Sequence, residues 1–326
     1  MKNTYLTIIL IFSLSLSACS ENQTAKQSET DNETSLIVVE TPTQQAPKKI
    51  VTSFYPLAFL TEQIVGEKAQ VINMAGSVDV HAYELSPQDL VNLNQADLVV
   101  FQGAELEPWA NSVIPELKQK DIQTLEASHG LELAKMEEHK DEHHGEDAHH
   151  DHHHGEFDPH TWLDPILAQK MTDHILQAIV KTDAANEATY LANAKMLKDR
   201  FAQLDQAFQT GLAQCVNNKM IISHDAYGYL ARRYGFEFHS ITGFSPQDEP
   251  SAKILAELKR EAEKGITHIL IEENNIRRFA DTLARETGLK TLPINPLGRG
   301  TLDPQKDFFD IMEENLSSFK IALNCQ

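Results

Sequence analysis

Eight of this chain's 15 histidines fall between His139 and His154. They are His139, His143, His144, His149, His150, His152, His153 and His154, interleaved with Asp141, Glu142, Glu146, Asp147 and Asp151. Neutral imidazoles are good ligands for zinc, copper and nickel, and neighbouring carboxylates favour any divalent cation. A tract this polar cannot form an apolar core and must be solvated. It reads as a loop over 137–156 that binds several transition-metal ions weakly, serving as an auxiliary collector, sensor or delivery element. Without fixed geometry it leaves the principal site to the folded body.

Three further histidines stand where a folded site would need them. His81 follows an expected strand over Val71–Met74. His160 lies in the turn Asp158-Pro159-His160-Thr161-Trp162-Leu163-Asp164-Pro165. His224 directly follows an expected strand over Met220–Ser223. Ligands of open α/β sheets bind just beyond the carboxyl ends of strands, which suits His81 and His224. Each alone reads as a loop or surface histidine; beside a metal-collecting tract, the three read as one shared site. Three imidazoles form a natural zinc set and leave a fourth position open. Each ring should donate its other nitrogen to a supporting acceptor, for which Asp158, Asp164 and Asp225 are near in sequence. His268 reads as a core histidine within an apolar strand, His174 as a helix residue, and His129 and His239 as residues near loops or strand ends.

The elements that must position these residues alternate. Expected strands cover Lys49–Phe54, Val71–Met74, Asp97–Phe101, Lys219–Ser223, His268–Ile271 and Lys290–Ile294, separated by amphipathic stretches. Ser86-Pro87-Gln88-Asp89 opens a helix with Ser86 as its cap and Pro87 at the first helical position. From Pro165 to Ala213 the pattern is helical, and between Asn186 and Gln214 the apolar residues recur at three- and four-residue spacing. The expected fold is α/β, two lobes with parallel sheets flanked by helices, joined by one long rigid helix. The boundaries are 48–185 for the first lobe, 186–215 for the connecting helix and 216–326 for the second lobe.

Residues 1–19 read as a secretory signal: Lys2, an apolar run from Leu6 to Leu16, and small residues ending at Cys19. Leu16-Ser17-Ala18-Cys19 resembles a bacterial lipobox, in which the cysteine is acylated and ties the mature protein to a membrane surface. The other reading is an ordinary signal peptide with a chance cysteine. Residues 20–47, rich in Ser, Thr, Gln, Asn and Glu, read as a disordered tether. The remaining cysteines, Cys215 and Cys325, are either a disulfide that clips the C-terminal tail to the body or two free thiols; an oxidising compartment favours the disulfide. A formal charge of −20 provides no basic stripe for nucleic acid and suits a protein that attracts cations.

At these residues the chain resembles the zinc-specific solute-binding proteins of bacterial ABC importers, the ZnuA type within the cluster A-I metal-binding family. The resemblance runs from about Lys48 to the C-terminus, interrupted by the histidine-rich insert. It is carried by Ser53-Phe54-Tyr55-Pro56, His81 with Ser86-Pro87, Gly103-Ala104-Glu105-Leu106-Glu107-Pro108-Trp109, the segment around His160, His224-Asp225-Ala226-Tyr227-Gly228-Tyr229-Leu230 and Asn295-Pro296-Leu297-Gly298. It implies two α/β lobes, a long connecting helix and a Zn²⁺ ion held between the lobes by His81, His160 and His224. Manganese-binding relatives place a carboxylate at the third position, and three imidazoles suit zinc better than manganese.

The pattern departs from the family at the fourth ligand. Some relatives carry an acid just before the first histidine, where this chain has Val80. Others use a carboxylate in the segment matching Asn295 to Gly298, where Asn295 is neutral and Gly298 has no side chain. Water, or a histidine from the loop, is therefore expected there rather than a carboxylate. The implied partner is an ABC permease, with membrane association through the anchor, no nucleic acid and a monomeric state. The expected location is the periplasmic or cell-surface face of a membrane. Three rivals remain: a zinc hydrolase, for which no general base is identifiable, a metal buffer, and an adhesin with a structural metal.

Overall fold

Branched apolar runs become strands, and the polar-faced stretches between them become covering helices. The computed structural model describes residues 46–135, 156–246, 248–272, 277–300 and 303–326. The signal segment, the lipobox with Cys19, most of the tether and nearly all of the histidine-rich loop lie outside the described residues.

The first sheet is built from β1 (Lys48–Thr52), α1 (Tyr55–Val65), β2 (Ala69–Asn73), α2 (Pro87–Asn94), β3 (Leu98–Phe101), α3 (Ala110–Gln119) and β4 (Gln123–Glu126). Two helices follow, α4 (Pro165–Thr182) and α5 (Glu187–Gly211). The second sheet comes from β5 (Lys219–His224), α6 (Gly228–Tyr234), β6 (Glu237–Thr242), α7 (Ala252–Ala262), β7 (His268–Ile271), α8 (Arg277–Thr287) and β8 (Lys290–Pro293), and α9 (Phe308–Leu323) closes the chain. The sheets are ordered β2-β1-β3-β4 and β6-β5-β7-β8, with every pairing parallel.

The central strands of each sheet are buried on both faces, as is usual for all-parallel sheets. Successive residues alternate between faces. In the first sheet Ile50, Leu98 and Val100 join the main core, whereas Val51, Val99 and Phe101 pack on the side of Ile114 and Leu117 of α3. In the second, Met220, Ile222 and Leu270 enter the same main core, whereas Ile221, Ile269 and Ile271 pack on the side of Leu258 of α7 and Leu283 of α8. The main core also takes Met171 and Ile175 of α4, Phe201 and Phe208 of α5, and Phe308 and Phe319 of α9. It therefore runs beneath both sheets.

The helical run from Pro165 is two helices, broken at Asp183, whose backbone is non-helical. They pack against each other, and α5 also contacts α1 and α9. Helix α5 spans 25 residues and ends at Gly211, short of the expected 215. Strands β4 and β6 were not among the six expected strands. Both are edge strands of mixed composition, so neither carries a full apolar run. Cys215 and Cys325 form a disulfide. Among the described residues, no helix is long and apolar enough to cross a membrane.

Candidate metal site

His81, His160 and His224 converge from three separate segments. His224 is the last residue of β5, so strand geometry aims its ring into the crevice at the carboxyl end of the second sheet. His81 sits in a 3₁₀ turn, Val80–Ala82, after β2; the Asp79 side chain caps that turn by accepting the His81 N–H at 3.1 Å. His160 immediately precedes a second 3₁₀ turn, Thr161–Leu163.

The segment around His160 is held on every side. The Gln102 amide donates to the Pro159 carbonyl (2.9 Å) and to Thr161 Oγ1 (2.7 Å). Trp162 Nε1 donates to the Pro296 carbonyl at 2.8 Å, and its ring meets Phe54 edge-on at 4.8 Å. Asp164 caps α4 by accepting the N–H groups of Ile166 (2.8 Å) and Leu167 (3.1 Å), and its other oxygen accepts from Arg233 Nε at 2.6 Å. The Asp-Pro-His-Thr-Trp-Leu-Asp-Pro motif is thus a tie between groups at the ends of both sheets.

The imidazole nitrogens nearly touch. Nε2 of His160 lies 3.2 Å from Nε2 of His81 and 3.5 Å from Nε2 of His224, and one ring nitrogen from each histidine lies within 4.8 Å of the others. Three nitrogens bound tetrahedrally to one zinc at about 2.0–2.1 Å are about 3.3 Å apart, so this spacing can accept such an ion with little movement. His160 and His224 are buried, and His81 is half-buried.

Carboxylates set the tautomers of two rings. His160 Nδ1 donates to Asp158 Oδ1 at 2.9 Å, and the same oxygen accepts the His160 backbone N–H at 2.9 Å. His224 Nδ1 pairs closely with Glu272 Oε1, which also accepts from Ser223 Oγ at 2.8 Å. With the proton held on Nδ1, each Nε2 presents its lone pair to the centre. Asp158 meets the expected supporting role. Asp164 does not, being committed to the cap of α4 and to Arg233. Glu272 was not foreseen; its signal is its place, one residue past β7 and at the same sheet end as His224.

Electrostatics separate the rings. Burial, then the neighbouring His160 and His224, hold His81 well below the usual 6.5, and burial with His224 nearby does the same to His160. Burial acts downward on His224 too, but the Glu272 carboxylate outweighs it and leaves that ring raised. Burial raises Asp158 to about 7, against the His160 N–H and the Arg232 charge that lower it. Gly298 sits next to Asp79: a Cβ there would lie 3.7 Å from Asp79 Oδ2, and the Gly298 carbonyl accepts the Val80 N–H at 3.1 Å.

The remaining histidines lie elsewhere. His174 Nδ1 donates to the Ala127 carbonyl at 3.0 Å from α4. His268 is not a core residue: it is the half-buried first residue of β7, beside Thr267 Oγ1, because the strand's burial begins at Ile269. Histidines 139–154 lie outside the described residues.

The High-affinity zinc uptake system protein ZnuA of Bacillus subtilis is 38% identical over 280 residues, covering 84% of this chain and 87% of that protein. The Zinc-binding lipoprotein AdcA of Streptococcus pneumoniae is 34% identical over 278 residues, 83% of this chain but 55% of that protein, so the chain spans about half of it. The crystal structure of the Zn(II)-bound ZnuA-like domain of Streptococcus pneumoniae AdcA superposes with a TM-score of 0.71 at 31% identity, covering 86% of this chain and all of that one. The sequence profile described as "Zinc-uptake complex component A periplasmic" matches residues 50–322, and the chain belongs to that family.

Proposed function

We propose that this protein is an extracytoplasmic, high-affinity Zn²⁺ receptor that delivers its ion to an ABC-type importer. The observation that carries the reading is the convergence of three imidazole nitrogens within 4.8 Å, two of them backed by buried carboxylates. His81, His160 and His224 take the ion as neutral ligands, and Asp158 and Glu272 fix two of the rings and balance the incoming charge. An all-nitrogen set favours zinc over manganese, which prefers oxygen. Among the described residues these are the histidines, cysteines or acids whose ligand atoms come together. One oxygen of Asp79 accepts the His81 N–H and one of Glu272 pairs with His224; the fourth position goes to water or to a loop histidine. The anchor at Cys19 ties the receptor, as a monomer, to a membrane at its periplasmic or cell-surface face, and the loop of histidines 139–154 gathers further ions weakly.

Competition titration with Zn²⁺ and Mn²⁺, on the protein with and without residues 139–154, tests the reading. One tight zinc site that survives the deletion, together with poor manganese binding, is the expected result. Loss of tight binding on deletion would move the principal site to the loop and turn the receptor into a metal buffer.

A further inference from the structure

The segments on either side of residues 136–155 are fastened to each other and to the back of the metal site. The Asp158 N–H donates to the Ala134 carbonyl at 2.9 Å, and Lys135 and Phe157 form an antiparallel bridge. Tyr229, on α6, joins both strands of this base: its hydroxyl accepts the Ala134 N–H at 3.1 Å and donates to the Asp158 carbonyl at 2.7 Å. Asp158 then spends one carboxylate oxygen on the ring and the backbone N–H of His160. Gly228 leaves room for that carboxylate, since a Cβ on it would stand 3.0 Å from Asp158 Oδ2. The Arg232 guanidinium covers the Tyr229 ring, 4.8 Å from its centroid, and helps fix the ring's place.

One hydroxyl therefore bonds Ala134 and Asp158 at once, alongside the direct bond from the Asp158 N–H to the Ala134 carbonyl. An apolar ring would fill the same space but leave the Ala134 N–H and the Asp158 carbonyl without this partner. We propose that Tyr229 is a positioning residue for metal binding: by clamping the base of the histidine-rich insert, it fixes Asp158 and through it the orientation of His160. The proposal rests on the reading that His160 binds the ion. Groups that orient a ligand directly are worth about 10–100-fold in metal affinity. Tyr229 acts one bond further out, so a smaller effect follows.

The test compares full-length Tyr229→Phe, Gly228→Ala and His160→Ala with the unsubstituted chain. The readouts are Zn²⁺ affinity by chelator competition, visible absorption of the Co²⁺-loaded protein, and melting of the metal-free protein. Tyr229→Phe should weaken zinc by about three- to tenfold and alter the cobalt spectrum, which reports ligand geometry. Gly228→Ala, crowding Asp158 from the other side, should alter that spectrum in a chain that still folds. If His160→Ala destroys tight binding while Tyr229→Phe leaves affinity and spectrum unchanged, the positioning role is overturned even if melting falls, and the site stands. If His160→Ala keeps tight binding, the site assignment itself fails and takes this inference with it.

Discussion

The two sheets share one strand order, and in each the crevice between the first and third strands holds a buried carboxylate facing a serine at the end of the first strand. In the first sheet Glu107 accepts from Ser53 Oγ at 2.6 Å and from the backbone N–H groups of Gln102 (2.8 Å) and Gly103 (3.0 Å). In the second sheet Glu272 accepts from Ser223 Oγ and also takes His224 Nδ1. Open α/β sheets part their chain connections at this point, and ligands settle there. Here one crevice closes upon its own backbone while the other opens upon an imidazole. A single added histidine at the end of β5 separates a structural use of the crevice from a chemical one.

Removing ligands gives the largest expected effect. His224→Ala or His160→Ala should weaken zinc by more than about 100-fold, since losing a ligand must exceed the about 10–100-fold loss of its support. His81, whose backbone N–H and not its ring is bonded to the Asp79 carboxylate, should cost less. Affinities of the three variants by chelator competition would break the comparison if His81→Ala proved the most damaging.

Glu272→Gln comes next, at about 10–100-fold. Its pH dependence carries the sign. Glu272 raises the His224 pKa above 6.5, so this ring is the first of the three to take a proton as pH falls. Without the carboxylate, burial lowers the ring's pKa against the weaker pull of Asp79 and Asp225, and protons compete less. The affinity ratio between the original chain and the variant should therefore be widest at high pH and narrow as pH falls through the raised pKa. Titrations at several pH values would show a constant ratio if Glu272 did not act on His224.

Glu107→Gln is the matching change in the first sheet; it reaches the His160 segment only through Gln102, so it should weaken zinc less than Glu272→Gln does. Its signature is in stability. Burial raises Glu107 from 4.5 to about 7, so the folded state binds its proton more tightly than the unfolded state does. Stability from this group is present at low pH and is lost as pH rises from 4.5 towards 7. The variant should flatten that part of the pH–stability curve, as read by denaturant melts. A large loss of zinc affinity would erase the contrast between the crevices.

Much of this arrangement is legible in the residues. The central strands carry unbroken apolar runs because both their faces are buried, and Ser86-Pro87 and Asp164-Pro165 mark helix starts that the structure realises as side-chain caps. The three histidines are legible through their places next to strands and a rigid turn. Edge strands β4 and β6 are not, because half-burial leaves them mixed in composition. Glu272 is hidden for a different reason: it lies 48 residues from His224, and only the parallel pairing of β5 with β7 brings the two together. The same holds for Tyr229, whose partners Ala134 and Asp158 flank a long insert.

The disulfide has a consequence in time as well as in space. Cys215 and Cys325 are separated by 110 positions, and β5 through α9 lie wholly between them. The bond cannot form until Cys325 has emerged, whereas every residue of the first sheet emerges before Cys215. A chain that appears N-terminus first can thus build the half bearing His81 and His160 early, while the half bearing His224 and Glu272 is sealed last. Closing a loop of this size removes about 4.7 kcal/mol of unfolded-state freedom. Assembly of the proposed metal site is in this sense ordered, with His224 in the half that the disulfide spans.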